Sequence, residues 1–181
     1  MKRVWVLLGL VAFSGCVTAK PPRYYTLDMR PSGTVAPPCK VVFERLAPAE
    51  SLARREILIK KSPTEIEYYA LDRWAADLGE LVLEKLASEL AKPRDLSKTL
   101  VVSGTILSFE QVDISSGAEA HIKLALDFRA PNASRHQAPA FAKVYELNTP
   151  MSSATPADAS LALSQGLVRL AAEIATDLER L

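Results

Sequence analysis

The sequence has few of the residues that metal sites and disulfide scaffolds need, with two cysteines and two histidines among 181 residues. Two cysteines cannot form the disulfide framework of a small secreted scaffold. His121 and His136 have no cysteine, aspartate or glutamate at a metal-ligand spacing, so we predict neither a metal site nor a cofactor. His121 occupies a polar position in a strand pattern, and we expect it to be solvated.

Motifs of common enzymes are also missing from the sequence. It contains neither a Gly-x-Ser-x-Gly nucleophile elbow nor a phosphate-binding loop. Glu65 and Glu67 share one face of a predicted strand, but a hydrated surface explains them better than a general acid–base pair. We therefore predict a protein without catalytic residues, and rank an anchored hydrolase that uses His121 or His136 far below.

The chain has no charge of one predominant sign, since 22 basic residues balance 21 acidic ones. Without residues 1–15, which hold the basic Lys2 and Arg3, the acidic residues outnumber the basic ones by one. A nearly neutral body lacks the electrostatic footprint of a nucleic-acid-binding protein. Any attachment to a membrane must come from something other than the overall charge.

The N-terminus has the three parts of a secretory signal peptide. Lys2 and Arg3 precede an apolar run at residues 4–13, and two small residues, Ser14 and Gly15, come directly before Cys16. The run is too short to span a bilayer as a helix. We predict a signal peptide over residues 1–15, cleaved between Gly15 and Cys16; the alternative is a buried N-terminal helix with an incidental cysteine.

Residues 13–16 resemble a bacterial lipobox, in which the cysteine sulfur receives a diacylglyceryl group. The resemblance implies lipidation of Cys16, with fatty acyl chains such as palmitate holding the protein on a membrane. It departs from the usual pattern at Phe13, where leucine is common. Val17 replaces the aspartate that commonly retains such lipoproteins at the inner membrane, so we expect anchoring on the periplasmic side of the outer membrane.

The rest of the chain divides into a tether at residues 16–38 and a globular domain at residues 39–181. The tether is rich in proline and has one possible edge strand, at residues 24–27. Cys39 begins an apolar stretch and is interpreted as a small buried core residue, with a reactive thiol or an intermolecular bridge as the alternatives.

Hydrophobic periodicity predicts an α+β fold. A mostly antiparallel sheet of about six strands should carry two amphipathic helices on one face, in the order strands, helix, strands, helix. The strands are expected at residues 40–46, 56–60, 65–70, 100–112, 121–129 and 141–147. The first helix should start with Trp74 as its first core anchor and stop before Pro93; the second should be capped by Thr155. Gly104 marks a bulge or a crowded point.

Aromatic residues are the candidates for an interface or a lipid-contacting groove, because aromatic side chains are enriched at such surfaces. These candidates are Tyr24, Tyr25, Tyr68, Tyr69 and Trp74. For Trp74 a place in the hydrophobic core is the favoured interpretation.

Four segments together resemble the ABC-type transport auxiliary lipoproteins, the PqiC-like proteins associated with MCE-domain lipid transport systems. They are the Tyr-x-Leu opening at residues 25–27, the leucine–arginine–isoleucine stretch at 51–57, the arginine–tryptophan pair at 73–75 and the central strand at 103–109. The chain departs from the family at Asp77, where proline is common.

The resemblance implies a non-catalytic auxiliary component of a lipid transport system that crosses the cell envelope. Its expected partners are an MCE-domain protein, the ABC transporter subunits and further copies of itself, but no nucleic acid. The alternative hypothesis is an outer-membrane lipoprotein that regulates or scaffolds a cell-wall synthase or an envelope-assembly complex.

Overall fold

The computed structural model of the protein describes residues 20–134 and 136–181. Apolar residues alternate along β6 (Gly117–Arg129), where every second side chain, from Ala118 to Phe128, is buried. In chain order the elements are β1 (Arg23–Tyr25), β2 (Lys40–Pro48), a short 3-10 helix (Glu50–Leu52), β3 (Glu56–Ser62), β4 (Glu65–Trp74), α1 (Leu78–Glu89), β5 (Thr99–Ile114), β6 (Gly117–Arg129), β7 (Phe141–Pro150) and α2 (Pro156–Leu178).

All seven strands belong to one sheet, in the order β1-β4-β3-β5-β6-β7, with β2 also paired to β5. β5, β6 and β7 form an antiparallel meander. The first half of β5 pairs in parallel with β2, and Gln111 and Val112 of its second half pair with β3. Both helices pack on the same side, since α2 contacts β5, β6 and β7, and α1 contacts β2 and α2. The predicted α+β class and element order are confirmed.

β3 and β4 form the expected antiparallel hairpin around Pro63. The sequence also predicts a dry face at Ile66 and Tyr68, but Ile66 is 51% exposed. Ile66 pairs with Lys60 next to the turn of the β3–β4 hairpin, far from the edge pairing with β1 at Asp72–Trp74. The prediction of a buried Ile66 is therefore wrong, because its side chain stays open to solvent near the tip of the hairpin.

Helix α1 begins at Leu78, four residues after the start that the periodicity predicts. The side chain of Asp77 accepts a hydrogen bond from the Gly79 amide and caps the helix. Trp74 is instead the last residue of β4, where it pairs with Tyr25 of β1. Its assignment to the helix is wrong, while its interpretation as a core residue is confirmed.

Helix α2 starts as the sequence predicts, with Thr155 accepting a hydrogen bond from the Asp158 amide and Pro156 at the first helical position. Its apolar stripe is fully buried and packs on the alternate apolar residues of the meander. The stripe consists of Leu163, Leu167, Leu170, Ile174 and Leu178.

The segment at residues 26–39, which we call the strap, packs against both helices. Leu27 and Val35 are buried in the core. The Thr26 carbonyl accepts a hydrogen bond from the Ser160 hydroxyl, and the Asp28 amide donates one to Ser164, so the strap is fixed to α2. The sequence interpretation treats this stretch as tether, whereas ordered packing in the structure already begins at β1.

Gly104 lies where β5 approaches β6 too closely for any side chain. A Cβ atom at this position would stand 2.1 Å from the Ala125 carbonyl oxygen and 2.9 Å from Leu126 Cδ2. The expected crowded point is confirmed, and the irregularity of the ladder falls two residues later, between Ile106 and Ser108.

Candidate interaction surface

The five aromatic candidates occupy three different environments. Trp74 is 2% exposed, and its indole ring packs against Phe109 with 5.8 Å between ring centroids. Tyr25 lies beside it in the β1–β4 pairing and is partly buried against the core. Trp74 therefore belongs to the interior of the protein, and Tyr25 packs against that interior.

Tyr69 joins three parts of the chain. Its hydroxyl lies 2.8 Å from Oε1 of Gln111 on β5 and 3.3 Å from the carbonyl oxygen of Ala154, just before α2. Burial raises the pKa of this phenol above its ordinary value. These contacts fix the strand against the helix layer.

Tyr24 is exposed at the surface, whereas Tyr68 is half-buried and packs against the edge of the hydrophobic core. Tyr24 is 58% exposed and is level with Arg73 in the parallel β1–β4 pairing. Residues in register on neighbouring strands project to the same face, so the phenol and the guanidinium are neighbours.

Arginine side chains connect these two tyrosines. The Arg54 guanidinium lies 4.6 Å from the centroid of the Tyr68 ring, within cation–π range. The Tyr68 hydroxyl donates to the Ser51 carbonyl at 2.8 Å, which fixes the ring. Glu56 lies 3.2 Å from Arg73 and 3.6 Å from Arg54, measured between carboxylate oxygens and guanidinium nitrogens.

We call this surface the tyrosine–arginine row: Tyr24, Arg73, Glu56, Arg54 and Tyr68. The row brings together two of the predicted interface tyrosines and excludes Tyr25, Tyr69 and Trp74. Sequence reasoning missed its arginines as site residues, although they lie in the segments that carry the family resemblance. Their signal is the Arg54–Arg55 pair directly before a strand and the arginine directly before Trp74.

The N-terminal strand is fixed beside the row by an ion pair. Arg23 lies 2.7 Å from one carboxylate oxygen of Asp72 and donates a hydrogen bond of 3.0 Å to the other. Asp72 is buried, whereas Arg23 is exposed. The Ala75 amide also donates to the Tyr25 carbonyl, so the backbone ladder between β1 and β4 continues to the end of β1.

A second polar cluster is buried where the strap crosses α1. Lys85 Nζ lies 2.6 Å from a Glu89 carboxylate oxygen and also donates to the Arg30 carbonyl. Ser32 donates its amide and its hydroxyl to the same carboxylate. Although burial alone would raise it, the hydrogen bonds from Lys85 and Ser32 hold the pKa of Glu89 below its ordinary value.

The environment of His121 differs from the solvated one that the sequence predicts. Its side chain is 14% exposed and lies between two carboxylates, with Nδ1 3.0 Å from Glu110 and Nε2 3.0 Å from Glu146. The hydrogen bond with Glu110 raises its pKa most, against the opposing effect of burial. The prediction of a solvated histidine is wrong, because cross-strand neighbours on β5 and β7 enclose the polar position.

Cys39 is buried, as the sequence predicts. It lines a cavity of about 420 Å³ between the first residues of β5 and the end of α2. Burial raises the pKa of the thiol, which lowers its reactivity. Gly15 and Cys16 lie outside the described residues, so cleavage and lipidation stay predictions.

Within residues 20–134 and 136–181, the acidic, histidine and cysteine side chains form no group of three or more that could hold a metal ion. In the same part of the chain, no helix has the length and apolar character that a bilayer span requires.

Comparisons with known proteins agree with the fold. A family model described as "ABC-type transport auxiliary lipoprotein component" matches residues 25–175. No curated protein matches the chain. One similar solved structure, of an uncharacterized protein, has a TM-score of 0.67 at 16% identity and covers 88% of this chain and 99% of its own. Another, protein XCC0632 from Xanthomonas campestris of the DUF330 family, has a TM-score of 0.63 at 17% identity and covers 84% and 91%.

Proposed function

The chain belongs to the family of ABC-type transport auxiliary lipoprotein components, and from this membership we propose that it serves an MCE-associated system that moves lipids across the cell envelope. The observation that carries the proposal is the extent of the family match, which begins in β1 and ends in the last turns of α2. The match therefore covers β2 to β7, the last residue of β1, all of α1 and most of α2.

We propose that the protein acts by contact and not by catalysis. The tyrosine–arginine row is a partly exposed surface, with Tyr24 and Arg54 open to solvent, and it has the composition of a partner-binding surface, since arginine and tyrosine are enriched at interfaces. Glu110, His121 and Glu146 hold one another across neighbouring strands. This arrangement supports a structural role for them.

The proposed attachment is a lipid on Cys16, exposed by cleavage after Gly15, on the periplasmic side of the outer membrane. Each buried methylene contributes about 0.8 kcal/mol, so two or three acyl chains would hold the protein on a bilayer almost permanently. Mass spectrometry of the mature protein should show acylated Cys16 as its first residue, and Cys16→Ser should move the protein into the soluble fraction.

We further propose a homo-oligomer. Among the described residues no strand pairs with the outer edge of β7, and Val144 on this strand is half exposed. An open strand edge with an apolar side chain is a surface that proteins usually cover. Native mass spectrometry of the full chain in detergent should record a multiple of the protomer mass; a monomer at all concentrations contradicts this proposal.

Crosslinking in cells tests the transport proposal directly. The tagged full chain should recover an MCE-domain protein and the ATPase and permease subunits of an ABC transporter from crosslinked membranes. A Cys16→Ser chain, expressed to the same level, is the control for contacts that need the anchor. Recovery of cell-wall synthases without any transporter subunit would favour the alternative of a scaffold for cell-wall synthesis.

A further inference from the structure

We infer that the tyrosine–arginine row faces the phospholipid headgroups of the bilayer that anchors the protein. The inference rests on the proposed lipid at Cys16 and adds to it which surface of the domain meets the membrane. The partner is therefore a surface of phosphate-bearing lipids and not a soluble anion or a nucleic acid.

The first argument is the length of chain between the proposed anchor and the fold. Arg23 is the first residue paired in the sheet, seven positions after Cys16. Seven residues reach about 24 Å when fully extended. The start of β1 must therefore stay within this distance of the acylated cysteine, and the row begins with the next residue, Tyr24.

Prolines determine where the chain leaves the sheet. Pro21 and Pro22 precede β1, are exposed and have no backbone N–H to continue the parallel ladder along β4. The linker is thus released at Arg23 and not farther along β4. This places its attachment point at the end of the row.

The second argument is the local charge. Arg23, Arg54 and Arg73 lie at or beside the row and pair with the carboxylates of Asp72 and Glu56, and the exposed Arg55 adjoins them in the sequence. The whole chain carries a formal charge of only +1, so this basic excess is a local feature. Glu67, which neighbours Tyr68 along β4, has Lys61 3.6 Å away as a counterion.

The chemistry of the row matches a headgroup layer. Guanidinium groups bind phosphate through paired hydrogen bonds and are less strongly hydrated than ammonium groups. Tyrosine is enriched at membrane–water interfaces, because its ring prefers the acyl boundary and its hydroxyl prefers water. Tyr24 is exposed next to Arg73 and can place both groups at the same depth.

Proximity to lipid headgroups can be measured on the anchored full chain in vesicles of phosphatidylethanolamine and phosphatidylglycerol. In a Cys39→Ala background, Ser51→Cys places a fluorophore beside the row without changing any member of it. Leu96→Cys is the matched control, exposed at the end of the sheet where β2 and β5 begin, roughly 30 Å away along the strands. A nitroxide on the lipid headgroup should quench the label at position 51 several-fold more than the label at position 96.

The arginines are tested by removing their charge in the same assay. Arg54→Gln with Arg55→Gln should reduce the quenching at position 51 to near the level at position 96. Arg169→Gln with Arg180→Gln removes the same charge from exposed positions of α2 and its C-terminal end and should leave the quenching unchanged. Thermal unfolding followed by circular dichroism checks that the variants keep the fold.

The outcomes separate this inference from the anchor proposal. If the protein does not float with the vesicles, the anchor at Cys16 fails and the inference fails with it. If the protein floats but the two labels are quenched equally, the anchor stands and the orientation is refuted. Unchanged quenching after loss of Arg54 and Arg55 also refutes the headgroup contact.

Discussion

Lys85 and Glu89 form an ion pair one helical turn apart, with side chains only 2% and 0% exposed beneath the strap. An isolated charge in such a place would be strongly destabilising, so each group depends on the other and on Ser32 and the Arg30 carbonyl. The pair therefore couples the packing of the strap to the stability of α1.

Lys85→Met should lower the free energy of unfolding by about 3 kcal/mol, because it leaves the Glu89 carboxylate buried without its cation. Urea unfolding of the domain measures the loss. Lys92→Met, at an exposed position beyond the same helix, should change stability by less than about 0.5 kcal/mol. Equal effects of the two substitutions would show that the buried pair does not stabilise the fold.

Gly104→Ala should destabilise the protein by about 3 kcal/mol, since the added methyl group would overlap the Ala125 carbonyl oxygen and force β5 and β6 apart. Ser103→Ala, one residue earlier on the same strand, adds no atom in that direction and is the control. Thermal unfolding of both variants measures the loss of stability. A Gly104→Ala protein as stable as the Ser103→Ala control would contradict the close approach of β5 to β6 at this position.

The fold should lose stability as the pH rises through the native pKa of His121. Hydrogen bonding to Glu110, and then to Glu146, raises this pKa above its ordinary 6.5, so the native state binds the proton more tightly than the unfolded chain. This contribution is fully present below pH 6.5 and disappears above the native pKa. Lys123, on the same strand, also faces this site, with its ammonium 2.8 Å from Glu146.

Denaturation at a series of pH values measures this effect. His121→Gln should flatten the decline in stability above neutral pH, because it removes the titrating group. His136→Gln changes an exposed loop histidine and should leave the decline as it is in the parent protein. If the stability of the His121→Gln variant declined with pH as steeply as that of the parent protein, Glu110 and Glu146 would not stabilise the fold through a protonated His121.

Arg23→Gln should loosen β1 while the rest of the sheet stays intact. The substitution leaves the buried Asp72 carboxylate without its guanidinium partner, and only three residues of β1 pair with β4. Hydrogen exchange should become faster at the Ala75 amide, which donates to Tyr25, and remain slow across β5 and β6. Arg169→Gln serves as the control. If the Ala75 amide exchanged as slowly in the Arg23→Gln variant as in this control, the Arg23–Asp72 ion pair would not be what holds β1.

The sequence predicts the meander and α2 well because their periodicity is local. β6 alternates over its full length, and α2 has a cap, a proline at its start and an unbroken apolar stripe. The sequence pattern wrongly places Trp74 in α1, because Trp74 precedes Leu78 by four residues, which is the spacing of side chains on one face of a helix. Pairing with β1 and the cap at Asp77 decide its conformation, and neither can be read from the spacing.

The strap and the row lie beyond sequence reasoning for a different reason. Leu27 and Val35 are isolated apolar residues among prolines, and only contacts with distant helices bury them. Arg54 and Arg73 are 19 positions apart and meet through Glu56 because β3 and β4 pair with an irregular register. Such juxtapositions depend on register, which hydrophobic patterning does not specify at an exposed face.

The position of β5 in the sheet determines the order in which the chain can fold. Among the described residues, β2 has no other strand partner, and its pairing begins between Lys40 and Thr99, so about a third of the polypeptide separates the two. Because the chain is synthesised from its N-terminus, the β3–β4 hairpin can form early. β2, in contrast, stays unpaired until β5 has been synthesised. Distant pairings slow folding and prolong the exposure of apolar segments. We therefore expect a nascent chain halted before residue 99 to need a chaperone to stay in solution, whereas the full-length chain, with α2 packed on the meander, should not.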